Sequence, residues 1–210
     1  MTTPATLTFH QLSCHKGGRR LFERIDCTLH AGRWLHVVGA NGVGKTSLLR
    51  MVCGLAPIES GDIQWNGVSI HKQTEAYRRD LCYLGHLNAL QEFMTVSENL
   101  AFSAALGGYS TDPRQTQDVL ARFGVRGREN QLARHLSQGQ KRRVALARLA
   151  LSRARLWVLD EPFVAMDDAG IAMLTDLIAG HLSGGGAAVL TSHQPVAVGA
   201  IAAQILDLNA

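Results

Sequence analysis

Apolar and polar residues change rhythm along this chain in a way that predicts strands alternating with helices. Residues 7–12 (Leu-Thr-Phe-His-Gln-Leu) alternate apolar and polar, the mark of an amphipathic strand. Lys16-Gly17-Gly18-Arg19-Arg20 reads as a turn, and residues 21–29 resume with Ile25, Cys27 and Leu29 on one face, predicting a small antiparallel sheet. Trp34–Val38 is a short apolar run suited to a buried strand, and residues 47–53 then place Leu48, Leu49 and Val52 at helical spacing. Pro57, Gly61 and Gly67 bracket a short strand at 63–65, followed by a polar helix over Thr74–Arg79 and a strand over Leu81–Leu84. From about residue 86 to 153 the rhythm is helical throughout, with helices expected over Val96–Leu106, 116–123 and 139–152. Leu156–Leu159 is a wholly apolar strand, a helix covers 170–182, and a glycine-rich turn leads to a strand over Ala187–Thr191. A short helix and a last strand near 205–208 complete the pattern. This order predicts an α/β fold with a mostly parallel sheet covered on both faces. It forms one domain over residues 5–210, its core (about 5–85 and 154–210) interrupted by a helical subdomain (about 86–153).

The predicted strand ending at Val38 and the helix after it flank Gly39-Ala40-Asn41-Gly42-Val43-Gly44-Lys45-Thr46, which reads G-x-x-x-x-G-K-[ST]. Strand, glycine-rich turn and helix opening are the context a phosphate-binding loop requires. Glycines let the backbone bend so that its N–H groups point inward at phosphate oxygens, and the helix start adds unpaired donors. Lys45 supplies a full positive charge for the β- and γ-phosphates, and Thr46 offers a hydroxyl to Mg²⁺. Gly39, Ala40, Asn41, Gly42, Val43, Gly44, Lys45, Thr46 and Ser47 are therefore the nucleotide-binding candidates, with ATP and Mg²⁺ as the expected ligands.

Bulk properties narrow the setting. The 210 residues suffice for one α/β domain with a substantial core. A net charge of +4 is carried by scattered residues, which reads as solvated faces and no nucleic-acid partner. No stretch approaches the roughly 18 apolar residues of a membrane span, and residues 1–12 lack a basic start with an apolar core. The expectation is a cytosolic chain that reaches a membrane only through another chain's spans. Cys14, Cys27, Cys53 and Cys82 have no C-x-x-C spacing, and the nine histidines contain no H-x-x-x-H pair, so no metal cluster is expected.

Two further stretches carry chemistry. Leu156–Leu159 ends in Asp160-Glu161, where Asp160 can hold Mg²⁺ through its water shell and Glu161 can polarise an attacking water. Leu136-Ser137-Gln138-Gly139-Gln140 opens an Arg- and Ala-rich helix whose N-terminus can receive an anion. That pentapeptide resembles the LSGGQ signature of ATP-binding cassette (ABC) ATPases, and it stands between the phosphate loop and the Asp-Glu strand, as in that family. Val164-Ala165-Met166-Asp167 is similar to the family's D-loop, Thr191-Ser192-His193 to its H-switch, and Thr95-Val96-Ser97-Glu98-Asn99-Leu100 to its T-V-x-E-N-L segment.

The resemblance spans essentially the whole chain. It implies a P-loop NTPase (RecA-like) core with a small antiparallel β subdomain and an inserted α-helical subdomain. It also implies a homodimer closing over two ATP molecules. Each site would take Lys45, Thr46, Asp160, Glu161 and His193 from one copy, and Ser137, Gly139 and Gln140 from the other. Glu161 and His193 would be catalytic, Thr46, Asp160 and His86 would serve the metal, and Asp167 would face the opposite subunit. The chain departs from the family at two places. His86 stands where most members carry Gln; a neutral ring can contact Mg²⁺-bound water and a protonated one would repel the metal. His15 and Lys16 stand where the family stacks adenine on an aromatic residue, leaving both base stacking on His15 and weak adenine selection open.

Finer likeness narrows the subfamily. His86, the run Lys141-Arg142-Arg143-Val144-Ala145-Leu146-Ala147-Arg148-Leu149, Asp160-Glu161-Pro162-Phe163 and Thr191-Ser192-His193-Gln194-Pro195 resemble the ATP-binding subunits of bacterial cytochrome c maturation (Ccm) haem exporters. That likeness implies a peripheral subunit at the cytoplasmic face of the inner membrane. There it would work with integral membrane subunits, driving release of a haem-loaded chaperone. Exporter subunits for drugs or lipids, and a soluble iron–sulfur assembly scaffold, are the alternatives. Chromosome-type members are set apart by their long coiled coil. Here only about ninety residues separate Thr46 from Ser137, with no sustained heptads.

Overall fold

A computed structural model describes residues 5–85, 87–164 and 166–209. They form two compact units, one drawn from Met1–Tyr83 and Arg155–Ala210, the other from Leu84–Ala154.

The first unit holds two sheets. β1 (Thr6–Lys16), β2 (Arg19–His30), β4 (Ser60–Trp65) and β5 (Val68–Ser69) form an antiparallel sheet in the order β2-β1-β4-β5. β3 (Trp34–Val38), β6 (Leu81–Leu84), β7 (Leu156–Leu159), β8 (Ala187–Thr191) and β9 (Gln204–Asp207) form the second sheet in the order β6-β7-β8-β3-β9. The pairs β7–β8, β8–β3 and β3–β9 run parallel. β7 and β8 are buried at every position, as expected of central parallel strands covered on both faces. The helices are α1 (Lys45–Val52), α2 (Thr74–Arg79) and α6 (Asp168–Ser183). α1 sinks Leu48, Leu49, Met51 and Val52 into one cluster with Leu35, Val37, Leu156, Val158 and Val189, so the phosphate loop's own helix is anchored to the sheet.

The second unit is helical: α3 (Val96–Leu106), α4 (Pro113–Arg122), a 3-10 turn at Ala133–His135 and α5 (Gln138–Leu151). The T-V-S-E-N-L segment explains how α3 begins. Thr95 Oγ1 accepts from Glu98 N at 3.2 Å and Glu98 Oε2 accepts from Thr95 N at 2.7 Å, a reciprocal cap. The Thr95 N–H also holds the Glu98 carboxyl below its ordinary range. Asn99, nearly buried, donates to the carbonyls of Gln91, Met94 and Thr95 and accepts from Gln91 N, stapling the preceding loop to the helix.

Two expectations are corrected. Residues 192–203 contain no helix: Ser192 Oγ accepts from Gln194 N, Pro195 has no N–H to give, and Val198 bridges Ile201. α4 begins before residue 116, because Asp112 caps Arg114 N and Pro113 occupies the first turn, a start signal present in the sequence.

His181 near the end of α6 lies parallel to Trp157, with ring centroids 3.8 Å apart, and its Nε2 meets Ala187 O at 3.1 Å. Gly186 leaves the space this ring fills; a Cβ there would overlap it. Burial pushes the imidazole down to about 4, against the raising effect of the Ala187 and Arg155 backbone. The folded state thus prefers the neutral ring, so this contribution is complete above the unfolded value near 6.5 and declines as pH falls towards 4. We expect acidification over that window to cost up to about 3 kcal/mol. Urea midpoints at pH 7.5 and 5.0 should reveal it, and His181→Phe should flatten the dependence.

Candidate active site

The parallel sheet determines where the site lies, because β3, β8 and β7 end side by side and the chain leaves each in a loop. β3 runs into residues 39–44. Gly39, Gly42 and Gly44 hold φ of 142°, 80° and 116°, which a side chain would strain. Gly44 also lets the first hairpin approach, since a Cβ there would lie 3.0 Å from Leu21 Cβ and 3.2 Å from Phe22 Cδ1. The loop therefore packs against β2 as it opens α1. Lys45, 9% exposed, donates through Nζ to Gly39 O at 2.7 Å and Ala40 O at 3.2 Å. The ammonium is folded back onto the carbonyls of the loop.

β7 delivers Asp160 and Glu161. Register pairs Leu159 with Leu190 and Val37 with Thr191, so Thr191 at the tip of β8 stands between the phosphate loop and the acids. Its fully buried hydroxyl donates to Asp160 Oδ1 at 2.9 Å and accepts from Glu161 N at 2.9 Å. Thr46 Oγ1 reaches the same Asp160 oxygen at 3.4 Å. Glu161 holds φ of 48°, a conformation a glutamate adopts only where its surroundings impose it. Its Oε1 is buried without a hydrogen-bond partner, yet lies 3.4 Å from His193 Nε2, within ion-pair reach though not aligned as a hydrogen bond. His193 is half exposed, so it stands between this oxygen and solvent.

Lys45, Thr46, Asp160, Glu161 and His193 are thus gathered at one sheet edge. Thr191 and Asn209, whose Oδ1 accepts from Ala40 N at 3.0 Å, belong to the same edge and were not picked out as site residues from the sequence. For Thr191 the signal was a hydroxyl at the end of a strand immediately before Ser192-His193. Replacing Thr191 with Val, which keeps the shape and removes the hydroxyl, should cost about 1–3 kcal/mol by stranding two buried partners. Denaturant midpoints would measure this, and Thr191→Ser should recover most of it.

The remaining candidates divide. Asp167 caps α6, its Oδ1 accepting from Gly170 N at 2.9 Å. In the helical unit, Ser137 Oγ accepts from Gln140 N at 3.2 Å and Gln140 Oε1 accepts from Ser137 N at 2.9 Å, so these two residues build the cap of α5. The Ser137 hydroxyl keeps its proton to donate and Gly139 faces open space at a helix N-terminus, while Lys141 further along pairs with Glu92 and Arg142 donates to Asn88. His86 and Ala165 lie outside the described residues. His15 is held by Glu59, which accepts from its backbone N at 2.8 Å and meets Nδ1 at 3.2 Å. Burial, reinforced by the charge of Asp160, pushes the Cys53 thiol and the Tyr83 phenol each up to about 12, so both stay protonated beside the acids.

A phosphate loop and an acid pair at the same end of a parallel sheet define a P-loop nucleotide hydrolase, and residues 22–164 match the ABC transporter family. A putative ABC transporter ATP-binding protein from Pyrococcus furiosus superposes with a TM-score of 0.83 at 27% identity, over 97% of this chain and 98% of that one. Another ATP-binding subunit of an ABC transporter gives 0.81 at 25% identity, over 91% and 80%. The chain is 73% identical to the cytochrome c biogenesis ATP-binding export protein CcmA of Albidiferax ferrireducens across all 210 residues of both. To the protein of the same name from Dechloromonas aromatica it is 51% identical over 88% of this chain and 91% of that one. The chain belongs to the ABC transporter ATP-binding family and, within it, to the CcmA group. It is an ATP-binding protein whose ATPase activity is coupled to transport.

Proposed function

We propose that this chain is the ATP-hydrolysing subunit of a membrane exporter acting in cytochrome c biogenesis, a Ccm-type haem exporter that drives release of a haem-loaded chaperone. The observation that carries the reading is the Thr191 bridge, which ties Asp160 and Glu161 together opposite Lys45 and Thr46. Full-length identity of 73% to a CcmA protein supports the subfamily.

ATP binds with its phosphates against the N–H groups of residues 39–47, and the Lys45 ammonium turns from the loop carbonyls to the β- and γ-oxygens. Thr46 would hold Mg²⁺ with its hydroxyl and Asp160 through the ion's water shell, hard oxygen groups suited to that ion. When bound, Mg²⁺ neutralises charge on the terminal phosphates. The Glu161 oxygen, free of hydrogen bonds and 3.4 Å from His193 Nε2, accepts a hydrogen bond from the attacking water and takes its proton, while His193 contacts the γ-phosphate from the solvent side.

Two copies close over two nucleotides, the α5 end with Ser137, Gly139 and Gln140 completing the partner's site and Asp167 lying at the dimer seam. The helical subdomain receives the integral membrane subunits. Among the described residues no helix is long and apolar enough to cross a membrane, in keeping with a peripheral subunit at the inner face. The test is co-expression with candidate integral membrane subunits of the Ccm type. Co-purification with multispanning subunits and ATP turnover in that complex are expected. Isolation as a soluble complex free of membrane chains would favour an assembly scaffold instead.

A further inference from the structure

The edge of the sheet beyond β3 offers a residue that neither motif nor family match covers. β3 and β9 run parallel with Val38 opposite Asp207, and Leu208 N donates to Val38 O at 3.0 Å. Continuing that register by two residues sets Asn209 against Ala40. There the Asn209 side chain leaves the strand direction and turns onto the phosphate loop, its Oδ1 accepting from Ala40 N at 3.0 Å. Its orientation is itself fixed, because Asp207 Oδ1 accepts from Asn209 Nδ2 at 2.8 Å and from Asn209 N at 2.9 Å. With Nδ2 committed to Asp207, Oδ1 is the atom presented to Ala40.

The peptide joining Gly39 to Ala40 is therefore gripped along both edges. Lys45 Nζ holds its carbonyl at 2.7 Å and Asn209 holds its N–H. Gly39 is what allows this: a Cβ at that position would lie 3.4 Å from Asn209 Nδ2 and 2.8 Å from Val43 Cγ1, at a φ of 142°. The grip on the carbonyl is given up when Lys45 turns to phosphate, and the grip on the N–H is not. A peptide freed on both edges could rotate, and its carbonyl dipole would then turn toward the phosphates.

From this we infer that Asn209, oriented by Asp207, is a positioning residue for nucleotide binding, holding the Gly39–Ala40 peptide in its phosphate-accepting orientation while Lys45 moves. The inference rests on the reading of residues 39–47 as the triphosphate site. It predicts a change in nucleotide affinity without a matching change in turnover at saturation, because Asn209 touches neither Glu161 nor the γ-phosphate side of the site.

The experiment uses the full chain and a fluorescent ATP analogue with Mg²⁺. Asn209→Ala should raise Kd about threefold to tenfold, because the Gly39–Ala40 peptide is then unheld once Lys45 turns to phosphate. It should raise KM by a similar factor in the transporter complex, with kcat within about twofold, and lower the nucleotide-free melting temperature by no more than about 4 °C. Asp207→Ala leaves Asn209 in place but frees its amide to turn, and should raise Kd in the same direction by a smaller factor. Unchanged Kd in Asn209→Ala would overturn the inference. Amide exchange supplies a test without substitution: the Ala40 N–H of the nucleotide-free chain should be protected, and free exchange would also overturn it. Failure of the unsubstituted chain to bind the analogue would instead remove the triphosphate reading itself.

Discussion

Substituting Gln for Glu161 should lower turnover by about two to four orders of magnitude while leaving ATP binding within a few-fold of the starting value. Three observations stand behind this. Glu161 Oε1 is buried and lacks a hydrogen-bond partner, which costs free energy unless an approaching group uses it. The backbone holds φ of 48°, in the left-handed region that non-glycine residues seldom adopt. The residue's N–H is tied to Thr191, so the side chain is aimed from a fixed base. Gln keeps the size and loses the basic oxygen, so proton removal from water suffers and phosphate binding does not. A bound but slowly hydrolysed nucleotide should also prolong association of two copies, measurable by light scattering with and without ATP. Turnover near the unsubstituted level would remove Glu161 from the role of general base.

Ser137→Arg should reduce hydrolysis by at least about a hundredfold and leave ATP binding by the isolated chain nearly unchanged. Ser137 sits on the helical unit at the tip of α5, with its hydroxyl hydrogen free and Gly139 open beside it. A long cation there blocks the approach of another chain's triphosphate and adds charge to an end already followed by Lys141, Arg142 and Arg143. The lost cap costs about 1 kcal/mol of helix stability, so circular dichroism must accompany the assay. Retained binding with lost turnover assigns Ser137 to the partner's site. Loss of binding by the separate chain would place it in its own.

Much of this was legible in the sequence because the relevant physics is local. The phosphate loop is eight consecutive residues whose glycines and helix opening carry the function, so the strand rhythm before Gly39 and helical rhythm after Thr46 were enough to place it. The Asp160-Glu161 pair was equally legible, since an apolar four-residue strand can only deliver the next two residues to a sheet edge. The segment after Thr191 departs from the expected short helix because Pro195 and the Ser192 turn prevail locally.

By itself, then, the order of residues determined the α/β class, the phosphate loop, the acid pair and the cap that starts α5. Each depends on neighbours within one turn or one strand, where backbone sterics and short hydrogen bonds decide the outcome. Tertiary structure alone decided that Thr191 bridges the two acids and that Asn209 reaches back 169 positions to Ala40. Those contacts follow from the register of parallel strands β7, β8, β3 and β9, a pairing of segments far apart in the chain that no local pattern encodes.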